Sequence, residues 1–213
     1  MENIELHKMR ENYDSSFLLE EHCNKNPFLQ FKKWFEEAAQ SNVIEPNAMT
    51  LATVGTDGQP SARIVLLKSF SKDGFTFYTN YESHKGQQLQ ENAKVALLFW
   101  WQERQVRIEG IAKKTDRESA TEYFQSRPKS SQIGAWTSPQ STVLPSREAL
   151  DNRYLEMEQK YNSEIVPMPD YWGGYLVIPN RIEFWQGRES RLHDRINYTL
   201  VEDENWKIER LAP

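Results

Sequence analysis

From Ala48 onward the apolar residues change their period, and this change limits the possible folds more than any other feature of the chain. Before it, "NPFLQFKKWFEEAAQS" reads as an amphipathic helix. Asn26 is placed to cap it, Pro27 suits the first turn, and Phe28, Phe31, Trp34 and Phe35 fall on one stripe. After it, "AMTLATVG" and "SARIVLLKSF" are strand-like and joined by the turn cluster "TDGQP". "FTFYTN" continues the alternation, and "KVALLFWW" is a nearly unbroken apolar run suited to a buried strand. "RQVRIEGIAKKT" follows, and "GGYLVIP", "RIEFWQGR" with "SRLHDRINYTLV", and "WKIERLAP" close the chain.

Helices interrupt this series rather than alternate with it. "SHKGQQLQEN" reads as a short polar helix. "DRESATEYFQSR" reads as a second, capped by Asp116. "REALDNRYLEMEQKYN" reads as a third, with Leu150, Tyr154, Met157 and Tyr161 on one face. Between the last two, "PKSSQIGAWTSPQSTVLPS" reads as a long polar loop, and loops of that length in a compact domain are usually functional. Roughly six to eight strands linked by short turns predict an α+β fold built on an antiparallel barrel or strongly bent sheet. No G-x-G-x-x-G opens a helix and no regular βαβ alternation appears, so a Rossmann fold is a poor match. Residues 1–26 are polar and unpatterned and read as an arm, with 27–213 as a single domain.

Composition narrows the function. A formal charge of −5 argues against a broad nucleic-acid-binding face. Cys23 is the single cysteine, which rules out an internal disulfide or a cysteine-rich zinc site and is consistent with a reducing cytoplasm. "MENIELHKMRENYD" lacks the apolar core of a signal peptide, and no apolar run approaches a membrane span. The four histidines, 7, 22, 84 and 193, are not at metal-ligand spacing. No G-x-S-x-G, P-loop, H-E-x-x-H or cysteine nucleophile is present.

What remains is a set of anion grips. Read as a strand, "SRLHDR" aligns Arg191, His193 and Arg195 on one face, next to Trp185 in "EFWQG". Such a column could simply guard an edge strand. It also suits a planar anionic ligand, because arginine forks onto phosphate and both side-chain types can lie over a ring. Arg63 and Lys68 in "RIVLLK" would point to opposite faces of a regular strand, so either a bulge intervenes or they serve different ligand groups. "SHKG" offers Ser, His, Lys and backbone donors at a helix start. Tyr123, Arg127 and Ser131 recur at spacings of four and would share a helical face, although Pro128 ends the helix before Ser131. Grips without a nucleophile suggest an enzyme whose reactive chemistry belongs to a bound cofactor.

"IEFWQGRESRLHDR" and "WKIERLAP" closely resemble the C-terminal signature of the pyridoxine/pyridoxamine 5′-phosphate oxidases. "RIVLLK", "FYTNYESHKG", "ERQVRIEG", "YFQSRPKSSQIGAW" and "PQS" resemble the same family in order and spacing. The resemblance covers about residues 27–213. It implies an antiparallel split β-barrel that binds FMN, and a homodimer with FMN at the subunit interface. It also implies oxidation of pyridoxamine or pyridoxine 5′-phosphate to pyridoxal 5′-phosphate by dioxygen.

By the same resemblance, FMN contacts fall on Arg63, Ile64, Val65, Leu66, Leu67, Lys68, Tyr78, Thr79, His84, Lys85, Gln105, Gln140, Ser141, Trp185 and Arg195. The substrate phosphate falls to Lys68, Tyr123, Arg127 and Ser131, with Arg191 and His193 as catalytic residues over the substrate ring. Arg10 and Tyr13 match an element of the family's N-terminal arm. His84-Lys85 departs from the family's usual Arg-Lys, replacing a permanently charged fork with an imidazole. Two rivals remain: a split-barrel flavin or haem binder without oxidase activity, and a pyridoxal phosphate carrier.

Overall fold

The computed structural model describes residues 17–202 and 205–213. Nine strands are hydrogen-bonded in the order β2-β1-β5-β6-β7-β4-β3, with β8 pairing to β7 and β9 to β8. They are β1 (Ala48–Val54), β2 (Pro60–Leu66), β3 (Ser69–Ser71), β4 (Gly74–Asn80), β5 (Lys94–Trp101), β6 (Arg104–Lys114), β7 (Trp172–Gln186), β8 (Asp194–Glu202) and β9 (Asn205–Arg210). Among the described residues one α-helix precedes the strands, α1 (Pro27–Gln40), and four fall between them: α2 (His84–Glu91), α3 (Arg117–Ser126), α4 (Lys129–Thr137) and α5 (Arg147–Lys160). The chain groups into two compact units. One holds residues 48–96 and 110–179, and the other holds 97–109 together with the described residues of 17–47 and 180–213.

In the second of these units, α1 starts where the sequence places it. The Asn26 side chain accepts from the Phe28 and Leu29 backbone N–H groups at 2.8 and 3.4 Å, and Pro27 occupies the first turn. Its stripe makes an aromatic core: Phe31 is fully buried, with ring centroids 5.1 Å from Phe99 and 5.7 Å from Trp101. Trp34 meets Phe184 edge-to-face at 5.2 Å. Residues 17–26, the described part of the expected arm, are tied down. Arg210 forks onto the Glu20 carboxylate, bonds the Leu18 carbonyl at 2.8 Å and reaches Asp194 at 2.6 Å. Arg10 and Tyr13 lie outside the described residues.

In the other unit, β1 and β2 pair antiparallel, with Thr50 opposite Ile64 and Leu51 opposite Arg63. β4 pairs with the first half of β7, Phe75 opposite Val177 through Asn80 opposite Trp172. Asp116 caps α3 by accepting from the Ser119 N–H at 2.7 Å. Phe124, Ile133, Val166 and Trp172 bury a second core beneath α3 and α4.

Three expectations need correction. "GGYLVIP" and "RIEFWQGR" form one fifteen-residue strand, β7, which runs through Pro179. Proline cannot donate to a ladder, and here it falls where β7 changes neighbour: pairing to β4 ends at Val177 and pairing to β8 begins at Arg181. The long loop after Pro128 contains α4, whose Gln132, Ile133 and Thr137 are buried. Finally, "SRLHDR" is not a strand. A 3-10 turn covers Glu189–Arg191, Ser190 and Arg191 have φ of 55° and 61°, and β8 starts at Asp194. The left-handed pair breaks the period-two alternation, so Arg191, His193 and Arg195 do not form a column.

The Phe31 cluster makes α1 a main support of its unit. Phe31→Ala is expected to lower unfolding free energy by about 3–5 kcal/mol in chemical denaturation.

Candidate active site

One cleft of about 640 Å³ is lined from β2 by Ile64, Val65 and Leu66, then by Lys68, from β4 by Tyr78 and Thr79, and from α2 by Lys85. Tyr123, Arg127, Ser131 and Gln140 complete the set named from the sequence. The volume suits a small-molecule ligand. The helix assumed to carry Tyr123, Arg127 and Ser131 on one face ends at Ser126, and α4 begins at Lys129. All three reach the cleft nonetheless, because the chain turns at Arg127 and Pro128 and brings the start of α4 alongside the end of α3.

Lys85 is buried, and its ammonium donates to Thr79 Oγ1 at 3.1 Å, Ser83 Oγ at 3.2 Å and Gln140 Oε1 at 2.7 Å. All three partners are neutral. Burial, reinforced by the positive charge of Arg63, brings the Lys85 pKa down to about 8. Arg63 is held the same way, by the Leu51 carbonyl at 3.2 Å, Thr53 Oγ1 at 2.5 Å and Ser61 Oγ at 2.7 Å. Thr53 in turn donates to buried Gln88 on α2 at 2.7 Å. Gly86 lets α2 begin this close to β4, since a Cβ there would stand 2.2 Å from the Tyr81 carbonyl oxygen. Two neighbouring cations on neutral supports leave charge available for an anion such as a phosphate.

Arg127 is a second grip. Its guanidinium carbon lies 4.8 Å from the centroid of the Trp172 ring, and its buried Nη1 has no hydrogen-bond partner among the described residues. Trp172, Tyr78 and Tyr123 lie nearly parallel, Tyr78 and Tyr123 with centroids 4.0 Å apart and Tyr78 and Trp172 5.4 Å apart. Trp172 was not among the residues singled out from the sequence. "YWGGY" shows an aromatic at a strand start, but only the fold brings it to Arg127.

Other expected contacts sit elsewhere. Arg63 and Leu67 flank the cleft-lining residues without lining it themselves. His84 is exposed at the first turn of α2, and Ser141 is exposed with φ of 73°. In the other unit Gln105 is half-buried on β6. Trp185 stands opposite Arg195 in the β7–β8 ladder, and its ring centroid is 4.6 Å from that of His193. His193 Nδ1 accepts from the Arg188 backbone N–H at 3.0 Å, which puts the proton of the neutral ring on Nε2. Burial and the adjacent Arg191 lower the His193 pKa, favouring that neutral form. Arg191 itself is exposed.

Among the described residues, no group of three or more His, Cys, Asp or Glu is arranged to hold a metal ion. None of their helices is long and apolar enough to cross a membrane.

An antiparallel sheet of this order with a cation-lined cleft defines an FMN-type split barrel, and solved structures of that class superimpose on it. PhzG from Burkholderia lata 383, solved in complex with tetrahydrophenazine-1-carboxylic acid, aligns at TM-score 0.88 and 29% identity, covering 95% of this chain and 100% of that one. A pyridoxamine 5′-phosphate oxidase-related, FMN-binding protein from Nostoc punctiforme shares the fold at TM-score 0.70 and 17% identity, covering 89% and 100%. The chain belongs to the pyridoxamine 5′-phosphate oxidase family: the model described as pyridoxamine 5′-phosphate oxidase matches residues 35–161. The model of the pyridoxine 5′-phosphate oxidase C-terminal dimerisation region matches residues 172–213. A pyridoxine/pyridoxamine 5′-phosphate oxidase from Gloeothece citriformis is 54% identical over 96% of this chain and 97% of its own length. Pyridoxine/pyridoxamine 5′-phosphate oxidase 2 from Hydrogenovibrio crunogenus is 51% identical, covering 99% of both chains.

The lowered pKa of Lys85 sets a pH signature. An anion that binds the ammonium form raises that pKa, so binding takes up a proton and weakens as pH climbs past about 8. FMN affinity, followed by flavin fluorescence, is expected to fall by up to roughly tenfold per pH unit there. The slope should flatten in Lys85→Arg, whose charge does not titrate in that range.

Proposed function

We propose that this protein oxidises pyridoxamine or pyridoxine 5′-phosphate to pyridoxal 5′-phosphate, using FMN and dioxygen, as a cytoplasmic homodimer with FMN at the subunit interface. The observation that carries the reading is the cleft with two separate cationic grips, Lys85 and Arg127, each held without a carboxylate partner among the described residues. One phosphorylated ligand needs one grip. A cofactor phosphate and a substrate phosphate need both. Support for the dimer comes from the dimerisation-region match over residues 172–213.

FMN fits the residues present: Lys85 and Arg63 offer the phosphate two cations on neutral supports, next to the exposed edge of β2 at Ile64. Bound there, it would supply two-electron redox chemistry toward the substrate's 4′ carbon, with dioxygen as the final acceptor and hydrogen peroxide as its product. The chain's own work is positioning. Arg127, with Tyr123, Ser131 and Lys68, takes the substrate phosphate and fixes one end of the ring. The family resemblance gives Arg191 a place over the substrate ring, where its positive charge would stand next to the carbon being oxidised.

By the family resemblance His193 would meet the substrate ring, and the proton of its neutral imidazole sits on Nε2. Abstracting a proton through Nε2 would need the lone pair that this tautomer lacks, so orientation is its main task. An amine substrate, once oxidised, is hydrolysed to the aldehyde and ammonia, and an alcohol gives the aldehyde directly.

The phosphate grip around Arg127 separates this reading from that of a flavin or haem carrier, which has no second phosphorylated ligand to hold. The purified protein is expected to be yellow and to release peroxide when pyridoxamine 5′-phosphate is added. Bound flavin without peroxide would favour the carrier, and a colourless protein from flavin-replete cells would remove both. Arg191→Leu is expected to lower turnover by about 100-fold while changing FMN affinity by no more than about threefold. Equal losses in the two would take Arg191 away from the reacting centre.

A further inference from the structure

Among the described residues of its unit Glu183 is the most enclosed carboxylate, 2% exposed on β7 between buried Ile182 and Phe184. Trp185 lies two residues along on the same face, and the β7–β8 register sets Trp185 opposite Arg195. Arg195 is thus the diagonal neighbour of Glu183, within reach of a long side chain. Arg195 forks onto it, Nε donating to Oε1 at 2.9 Å and Nη2 to Oε2 at 3.1 Å. The remaining nitrogen, Nη1, donates to the Ala212 carbonyl at 2.8 Å. Arg107 on β6 donates to Glu183 Oε2 at 2.6 Å, so one carboxylate serves two guanidinium groups.

The cluster extends to Glu109, 3.3 Å from Arg107 and 3.7 Å from Arg181. Arg107, Arg181 and Arg195 against Glu109 and Glu183 leave one positive charge in excess. Glu183 on β7 is thus shared by an arginine of β6 and one of β8. These bonds engage all three nitrogens of the planar Arg195 guanidinium and leave one hydrogen on each terminal nitrogen for other acceptors.

We propose that Glu183 is a positioning residue of the oxidase: it acts through Arg195, locking the guanidinium in the orientation that meets the bound cofactor. Because the charge of Arg195 is shared with Glu183, the acceptor it suits is a partly negative oxygen or nitrogen of the flavin ring rather than a phosphate. Full phosphate charge falls to Lys85 and Arg63, whose partners among the described residues are all neutral. The proposal rests on the assignment of Arg195 to the FMN site.

A double-mutant cycle on the full-length holoprotein tests it, with FMN release on dilution followed by recovery of flavin fluorescence. Glu183→Gln is expected to weaken FMN binding about tenfold in the parent protein but less than about twofold in an Arg195→Ala background. Equal losses in both backgrounds overturn the proposal and reduce Glu183 to a structural ion pair. If Arg195→Ala alone leaves FMN affinity unchanged, the assignment of Arg195 fails first, and the proposal with it. Glu183→Asp keeps the charge but withdraws the carboxylate by one methylene, so it serves where the glutamine variant does not fold. It should show the same tenfold loss confined to the Arg195-containing protein, and parental affinity in that variant also overturns the proposal.

Discussion

The hydrogen-bond ladder of β7 is the constraint on which the rest of the structure depends. Fifteen residues stay extended through a proline because the strand exchanges one neighbour for another at that point, pairing with β4 before Pro179 and with β8 after it. Antiparallel register then dictates side-chain addresses without further instruction. It places Trp172 opposite Asn80 at one end of β7, and Trp185 opposite Arg195 near the other. Each end carries an aromatic next to an arginine, Trp172 under Arg127 and Trp185 across from Arg195.

The arginines and lysines are treated in two different ways. Around the cleft, Lys85 and Arg63 hang from hydroxyls, an amide and a carbonyl, and Arg127 rests on an aromatic face. Burial without counter-charge raises the cost of each charged form and lowers the pKa of all three groups. On β6, β7 and β8 the arginines are interleaved with Glu109 and Glu183, and the hydrogen bond from Arg195 to Glu183 raises the Arg195 pKa instead. Cations of the first kind favour an incoming anion, and those of the second kind are better suited to holding a shape.

Much of this was legible in the chain, and the failures have physical causes. Helix starts at Asn26 and Asp116 are local events, decided by a side chain and the N–H groups two or three residues away, so the sequence reveals them. Lys68, Tyr123, Arg127 and Ser131, grouped from the sequence, all line one cleft, although the shared helix face assumed for the last three does not exist. The turn at 189–191 escaped because left-handed backbone usually announces itself through glycine, and here Ser190 and Arg191 adopt it. α4 escaped because its serines and glycine imitate a loop, with Ile133 alone as a fully buried aliphatic anchor. Glu183 was invisible for another reason. Its arginine partner on β6 lies 76 positions away, a separation that no local pattern encodes.

The cradle around Lys85 also bears on how much folded protein exists. A site that keeps a desolvated ammonium waiting for its anion is weaker when empty, and any ligand that recognises only the native form adds its own binding free energy to folding. Flavin supply would then govern abundance as well as catalysis. Under the proposed function, the empty form would be the one more readily unfolded and cleaved by proteases.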